Sequence, residues 1–210
     1  MDTQNTLLQH VLVGLFSVLL ALFFNFILNI RWSTTWGRVS LILLFVTVVI
    51  GPWMRLRKPQ KVSSPLESPW NWRSEFGIWF TVAALFHVGF AMSGRPGWDI
   101  MKALGGIVGG EGYGFANFLG FVALFWALIL AATSFKKAIR FLGVESWKWL
   151  HSFTYVLFYL VFAHMLYFQF FSSYGSGPDW FGWAAVAMMI IVTVLQLSAF
   201  GKAVIKKNAA

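Results

Sequence analysis

Six long apolar runs, parted by short polar or basic stretches, leave this chain little choice of fold. A helix that crosses a bilayer needs about 20 mostly apolar residues. The runs Leu7–Ile30, Val39–Trp53, Phe76–Met92, Phe115–Thr133, Trp149–Phe170 and Trp180–Phe200 meet or approach that length, and the second extends to Met54 or Leu56. Only 11% of the 210 residues are charged, whereas a soluble domain carries about 25%. The expected fold is an all-α integral membrane protein, a six-transmembrane-helix bundle forming one domain over residues 1–210. The first run is too long for a signal-peptide core, and Met1–Thr6 lacks the basic flank such a peptide needs.

Net charge is +9. In a soluble protein that excess would suggest nucleic acid; here it sits in short clusters between spans and orients the chain, so no nucleic-acid partner is expected. Arg55, Arg57, Lys58, Lys61, Arg73, Lys136, Lys137, Arg140, Lys148, Lys202, Lys206 and Lys207 fall on one side, against Arg31, Arg38, Arg95 and Lys102 on the other. The positive-inside rule makes the twelve-residue side, and with it both termini, cytoplasmic. Cysteine is absent, which excludes disulfides, iron–sulfur clusters and covalently attached haem. Any haem is therefore non-covalent and histidine-ligated. Neither long loop, Met54–Glu75 or Ser93–Gly114, has room for the repeated units of some 30 residues that build a dinucleotide-binding domain. Electrons, if the protein carries them, come from a separate partner or a quinol.

Some features resemble motifs without the context a motif needs. The glycine-rich run Gly105–Gly114 follows no strand and faces outward, so it reads as a loop and not as a phosphate cradle. Pro59–Pro69 reads as a polar cytoplasmic linker. The pairs Trp70/Trp72 and Trp147/Trp149 read first as interfacial anchors, and only second as elements of an electron path. No internal repeat is visible.

The chemistry lies in the histidines. An ionisable residue inside a span is costly and is by default a functional candidate. His87 lies 14 residues along the third span from Arg73, about 21 Å deep. His164 lies 13 residues beyond His151 on the fifth, about 20 Å further out. His87 and His164 thus share one depth on two helices, which suits the two axial ligands of a haem and favours electron transfer over oxygen binding. The bland alternative makes each histidine a hydrogen-bonded interhelical polar group. On an ideal helix His151 and His164 stand about 140° apart, whereas Arg73 and His87 fall within about 40°. The inner position matching His87 is therefore an arginine, whose fork suits a flavin phosphate or a haem propionate. His151 with Arg73 marks an inner cofactor site, for flavin mononucleotide (FMN) or a second haem. His10, also near the inner border, is a candidate ligand for that site but reads first as interfacial. Arg38, at the outer border, is a candidate partner for a haem propionate, the alternative being a simple anchor for the second span.

These residues resemble the ferric-reductase-like transmembrane domain shared by NADPH oxidases and STEAP metalloreductases, and most of all its MsrQ/YedZ branch. The resemblance rests on Gly37-Arg38, Gly51-Pro52, Arg73, His87, Gly120 and Thr133-Ser134. Its most specific run is Leu142-Gly143, Trp147, Leu150-His151, Phe153, Tyr155 and His164. It implies a cytochrome b subunit of a bacterial inner membrane, holding haem b (one, or two) through His87, His151 and His164, with FMN on the cytoplasmic side. It further implies a cytoplasmic flavin reductase as donor and a periplasmic molybdenum-containing reductase, which repairs oxidised methionine, as acceptor. The chain departs from the oxidases at Arg73, so it lacks their full histidine set. It departs from the methionine-repair branch before the fourth span, where an Arg-Pro-Tyr segment is replaced by Gly112-Tyr113-Gly114-Phe115. Within redox proteins the rivals are a cytochrome b that takes electrons from membrane quinol and a transmembrane metal reductase. From another class comes a non-redox scaffold or transporter, for which Asn25, Asn29 and Gln169 supply the intramembrane polarity.

Overall fold

The computed structural model describes residues 3–57, 69–93, 113–171 and 177–208; the proposed linker up to residue 68 and the glycine-rich run up to residue 112 lie outside them, and Pro69 already opens a helix. Among the described residues all regular structure is helical: α1 Thr3–Leu22, α2 Trp32–Leu56, α3 Pro69–Ser93, α4 Tyr113–Ala132, α5 Lys136–Leu142, α6 Val144–Ser152, α7 Thr154–Leu166 and α8 Trp180–Asn208, with π-helical turns at Phe23–Ile27 and Tyr167–Phe171. Six segments are long and apolar enough to cross a membrane: Leu7–Ile27, Trp32–Leu56, Trp72–Ser93, Gly114–Ala132, Val144–Phe171 and Trp180–Ile205. The protein is a multi-pass helical membrane protein. Its side-chain hydroxyls follow the rule that polar groups in lipid find partners within the fold. Ser17, Thr47, Thr133 and Thr193 each donate to the carbonyl four residues back, at 2.7–2.9 Å.

The bundle is organised around α2. In its most apolar window 56% of residues are buried, against 17% for α8. It packs most extensively on the antiparallel α3, and then on α8; α4 pairs in the same way with α7. Leu43 and Val48 of α2, Phe80 of α3, Phe158 of α7 and Val192 of α8 meet in one core. The outward faces carry exposed Phe26, Phe125, Leu197 and Phe200, as lipid contact requires.

Two departures from the expected elements have identifiable causes. The second helix begins at Trp32, seven residues before Val39, because its first turns look polar yet are buried. Thr35 is fully buried and its hydroxyl donates to Ile30 O at 3.2 Å. Ahead of it the chain reverses within a few residues, through a left-handed Asn29 (φ 53°) and an Asn25 side chain donating to Ile30 O at 2.7 Å. The fifth span is also not one helix. α6 ends in a tight turn where Phe153 N–H reaches Leu150 O at 3.1 Å, and α7 restarts at Thr154, whose hydroxyl caps His151 O at 2.7 Å. α5 and α6 are joined at Gly143, whose φ of 77° and ψ of 151° are open almost only to glycine.

α1 meets α3 at a close approach that tolerates no side chain. A Cβ on Gly14 would stand 2.4 Å from the Trp79 ring. Gly14→Val is therefore expected to force the two helices apart at a cost of about 1–3 kcal/mol, measurable as a lowered unfolding temperature in detergent.

Candidate functional site

At the end of the bundle opposite the basic Arg55, Lys136 and Lys202 lies an interhelical cavity of about 630 Å³, walled by α2, α3, α4 and α7. That volume lies in the range of sites for cofactor-sized ligands. Its lining includes His87, His164, Gly37, Gly120, Arg38 and Gln169. The two histidines placed at one depth by residue counting do meet. Their ring centroids stand 6.2 Å apart, with the planes at 79°.

Each imidazole is held by the same device. His87 Nδ1 lies 2.7 Å from Ser33 O on α2, and His164 Nδ1 lies 2.7 Å from Ala116 O on α4. A carbonyl can only accept, so each Nδ1 carries the proton and each Nε2 keeps its lone pair. Four residues beyond each carbonyl stands a glycine that makes room for the ring. A Cβ on Gly37 would come within 3.0 Å of His87, and one on Gly120 within 2.8 Å of His164. The α2–α3 and α4–α7 hairpins are thus two copies of one arrangement. The sequence shows no repeat because only the carbonyl-to-glycine spacing recurs. Ser33-x-x-x-Gly37 and Ala116-x-x-x-Gly120 are small-residue spacings of the kind that lets membrane helices approach; they were the available signal.

These imidazoles suit a metal whose remaining ligands come from elsewhere. Metal–imidazole bonds are about 2 Å long, which sets two rings on opposite sides of one ion about 6 Å apart. Among the described residues no cluster of three or more His, Cys, Asp or Glu forms a metal site. Two rings suffice for an iron whose equatorial ligands are a macrocycle. The carbonyl on each Nδ1 fixes ring orientation and raises ligand basicity, as partners behind metal-bound histidines do.

Arg38 also borders this cavity, but not as a simple border anchor. It is 6% exposed, ion-paired with Asp179, and its Nε and Nη1 are buried without partners. Two unfilled donors on the wall of a cavity fit a carboxylate such as a propionate.

Toward the basic end, His151 and Arg73 occupy a second polar region. His151 Nε2 lies 3.1 Å from the Thr133 hydroxyl at the end of α4, and its ring lies 4.4 Å from that of Trp147. Trp147 Nε1 donates to Thr133 O at 3.0 Å, so this tryptophan turns inward, whereas Trp149 is 67% exposed. His151 reaches Thr133, just past the end of α4, and His164 reaches Ala116 in its first turn, despite the offset of about 140° on an ideal helix. Arg73 faces α2, as His87 does: Tyr155 Oη and Arg73 Nη1 lie 3.0 and 3.9 Å from where a Gly51 Cβ would be. His10 is half-buried on α1 and does not line the histidine cavity.

Fold and site together define a six-span membrane protein built round a facing pair of imidazoles. Residues 36–162 match the family described as the ferric reductase like transmembrane component, and the chain belongs to that family, which implies electron transfer across the membrane. The match takes in α2 to α4, His87 and His151, and stops two residues short of His164. No curated protein matches the chain.

Proposed function

We propose that the chain is a b-type cytochrome subunit in which His87 and His164 are the axial ligands of a haem, with Arg38 toward a propionate. The observation carrying this reading is the facing pair of imidazoles, each fixed through Nδ1 so that Nε2 is the free nitrogen. Haem bound there supplies a one-electron carrier with no open axial position. The chain's own part is to hold both rings neutral and oriented, to exclude water with Phe80 and Leu124, and to shape the cavity with Gly37 and Gly120.

The direction of transfer is from the basic, cytoplasmic face outward. A cytoplasmic flavin reductase is the donor and a periplasmic molybdenum-containing reductase the acceptor, in a bacterial inner membrane. His151 and Arg73 mark the inner site, for FMN or a second haem, and its place near the basic face supports a role between donor and outer haem. A quinol donor or direct reduction of an external metal are the alternatives. Reducing the purified protein with NADH plus a flavin reductase, and separately with a quinol, distinguishes the donors.

The reading is tested by a reduced-minus-oxidised spectrum with haem and flavin quantified per polypeptide. A Soret and α-band change is expected; colourless protein supports a scaffold or transporter instead. His151→Ala is expected to leave the outer bis-histidine spectrum in place while changing the content or spectrum of any inner cofactor. Loss of the outer signal in that variant would show that the ligands are misassigned.

A further inference from the structure

The ion pair on the cavity wall joins parts of the fold that no ligand role requires to be joined. Arg38 Nη2 donates to Asp179 Oδ2, and the rings of Phe181, Trp180 and Phe24 lie 4.9, 5.6 and 6.0 Å from its guanidinium carbon. A guanidinium taken out of water is costly unless it is compensated. Cation–π contact and one carboxylate supply that compensation here.

Asp179 is itself held twice more. Its Oδ1 accepts Gly182 N–H at 3.0 Å, the N-cap bond of α8. Its own N–H donates to Gln169 Oε1 at 3.2 Å, and Gln169 sits in the π-helical turn that follows the helix of His164. Arg38 follows Gly37, the residue against which His87 rests. The pair is thereby tied to the neighbour of Gly37 and to the turn after the helix of His164, and Arg38 and Gln169 share the histidine cavity.

We propose that Asp179 is an electrostatic positioning residue for the outer haem: it holds Arg38 at the cavity wall and offsets its charge, lowering the haem's reduction potential. The inference rests on the bis-histidine haem reading above. Reduction adds one negative charge at the iron, so a nearby cation favours the reduced form and a nearby carboxylate opposes it. With both present the wall is close to neutral.

The test is a potentiometric titration of the haem-loaded full chain in detergent, comparing wild type, Asp179→Asn, Arg38→Met and the double variant. Asparagine caps a helix as well as aspartate does and keeps the acceptor for Gly182, so Asp179→Asn removes the charge and the Oδ2 acceptor for Arg38 while leaving the cap in place. Its midpoint potential is expected to rise and that of Arg38→Met to fall. Each change is on the order of tenfold in the oxidised-to-reduced ratio at fixed ambient potential, about 59 mV for one electron. The double variant is expected close to wild type. Shifts of the two single variants in the same direction, or no shift in either, overturn the proposal, because a structural role alone gives no opposite signs. If Asp179→Asn is not recovered folded, Arg38→Met decides: its Asp179 carboxylate is 40% exposed and tolerates the loss of its partner. A lowered potential then supports the proposal, and an unchanged or raised one overturns it. Wild-type protein that binds no haem defeats the haem reading itself, whereas haem-loaded protein with unmoved potentials defeats only this inference.

Discussion

His164→Ala is expected to weaken haem retention on the order of a hundredfold or more and to abolish the bis-histidine spectrum, with the same outcome for His87→Ala. The magnitude follows from the ligand's place in the chemistry. Removing only the partner behind a metal-bound histidine costs about 10–100-fold in affinity, and removing the ligand itself costs at least as much. The fold is expected to survive either change. Ser33 O and Ala116 O lie in the first turns of α2 and α4, where each carbonyl has a helical N–H partner four residues on. Alanine thus orphans no backbone group, and the space it opens faces an existing cavity. Size-exclusion behaviour and unfolding temperature should stay near wild type, which separates ligand loss from misfolding. Free imidazole should then enter the vacated space and restore the low-spin spectrum. An unchanged spectrum in either variant would sink the assignment, and His10→Ala serves as the control that should change nothing.

The six spans could be read from the sequence because length and hydropathy alone decide membrane insertion. The start of α2 could not, because Trp32–Arg38 is polar in composition and yet carries the buried Thr35, Trp36 and Arg38. Thr35 and Arg38 find partners outside the helix, Ile30 and Asp179, and no local pattern announces such partners. The break at Phe153 was equally silent, because neither glycine nor proline marks it. The meeting of His87 and His164 was legible for a simple reason. Depth along a helix follows from counting residues, and two helices that start from the same face bring equal counts to one level.

What holds those rings was less legible. Ser33 and Ala116 act through backbone carbonyls, to which side-chain identity gives no direct clue. Gly37 and Gly120 act through an absent side chain, and in an apolar helix a glycine is easily taken for tolerance. Asp179 is one acid before the last span, and only the folded chain brings it 141 positions back to Arg38. The paired histidines were therefore visible, whereas the residues that orient them were not.

Gly120 offers the sharpest separation between a ligand and its seat. The imidazole of His164 occupies the volume a Cβ would fill: the added carbon would stand 2.8 Å from both Cε1 and Nδ1, inside the closest approach side chains tolerate. Gly120→Val is expected to push the ring out of line and lengthen or break the 2.7 Å Nδ1 bond to Ala116 O. Overpacking of this kind costs about 1–3 kcal/mol, so the protein should still assemble. The orientation of the ligand is what cannot survive. Haem affinity is expected to fall by about 10–100-fold, and any haem that remains should show a five-coordinate or strained spectrum although both histidines are present. Gly120→Ala should do the same to a smaller degree. The control lies at Gly89, also in a membrane helix, where a Cβ meets nothing within 4 Å; Gly89→Ala is expected to leave spectrum and affinity unchanged. If Gly120→Val binds haem with an unaltered bis-histidine spectrum, His164 does not ligate from the seat the fold gives it.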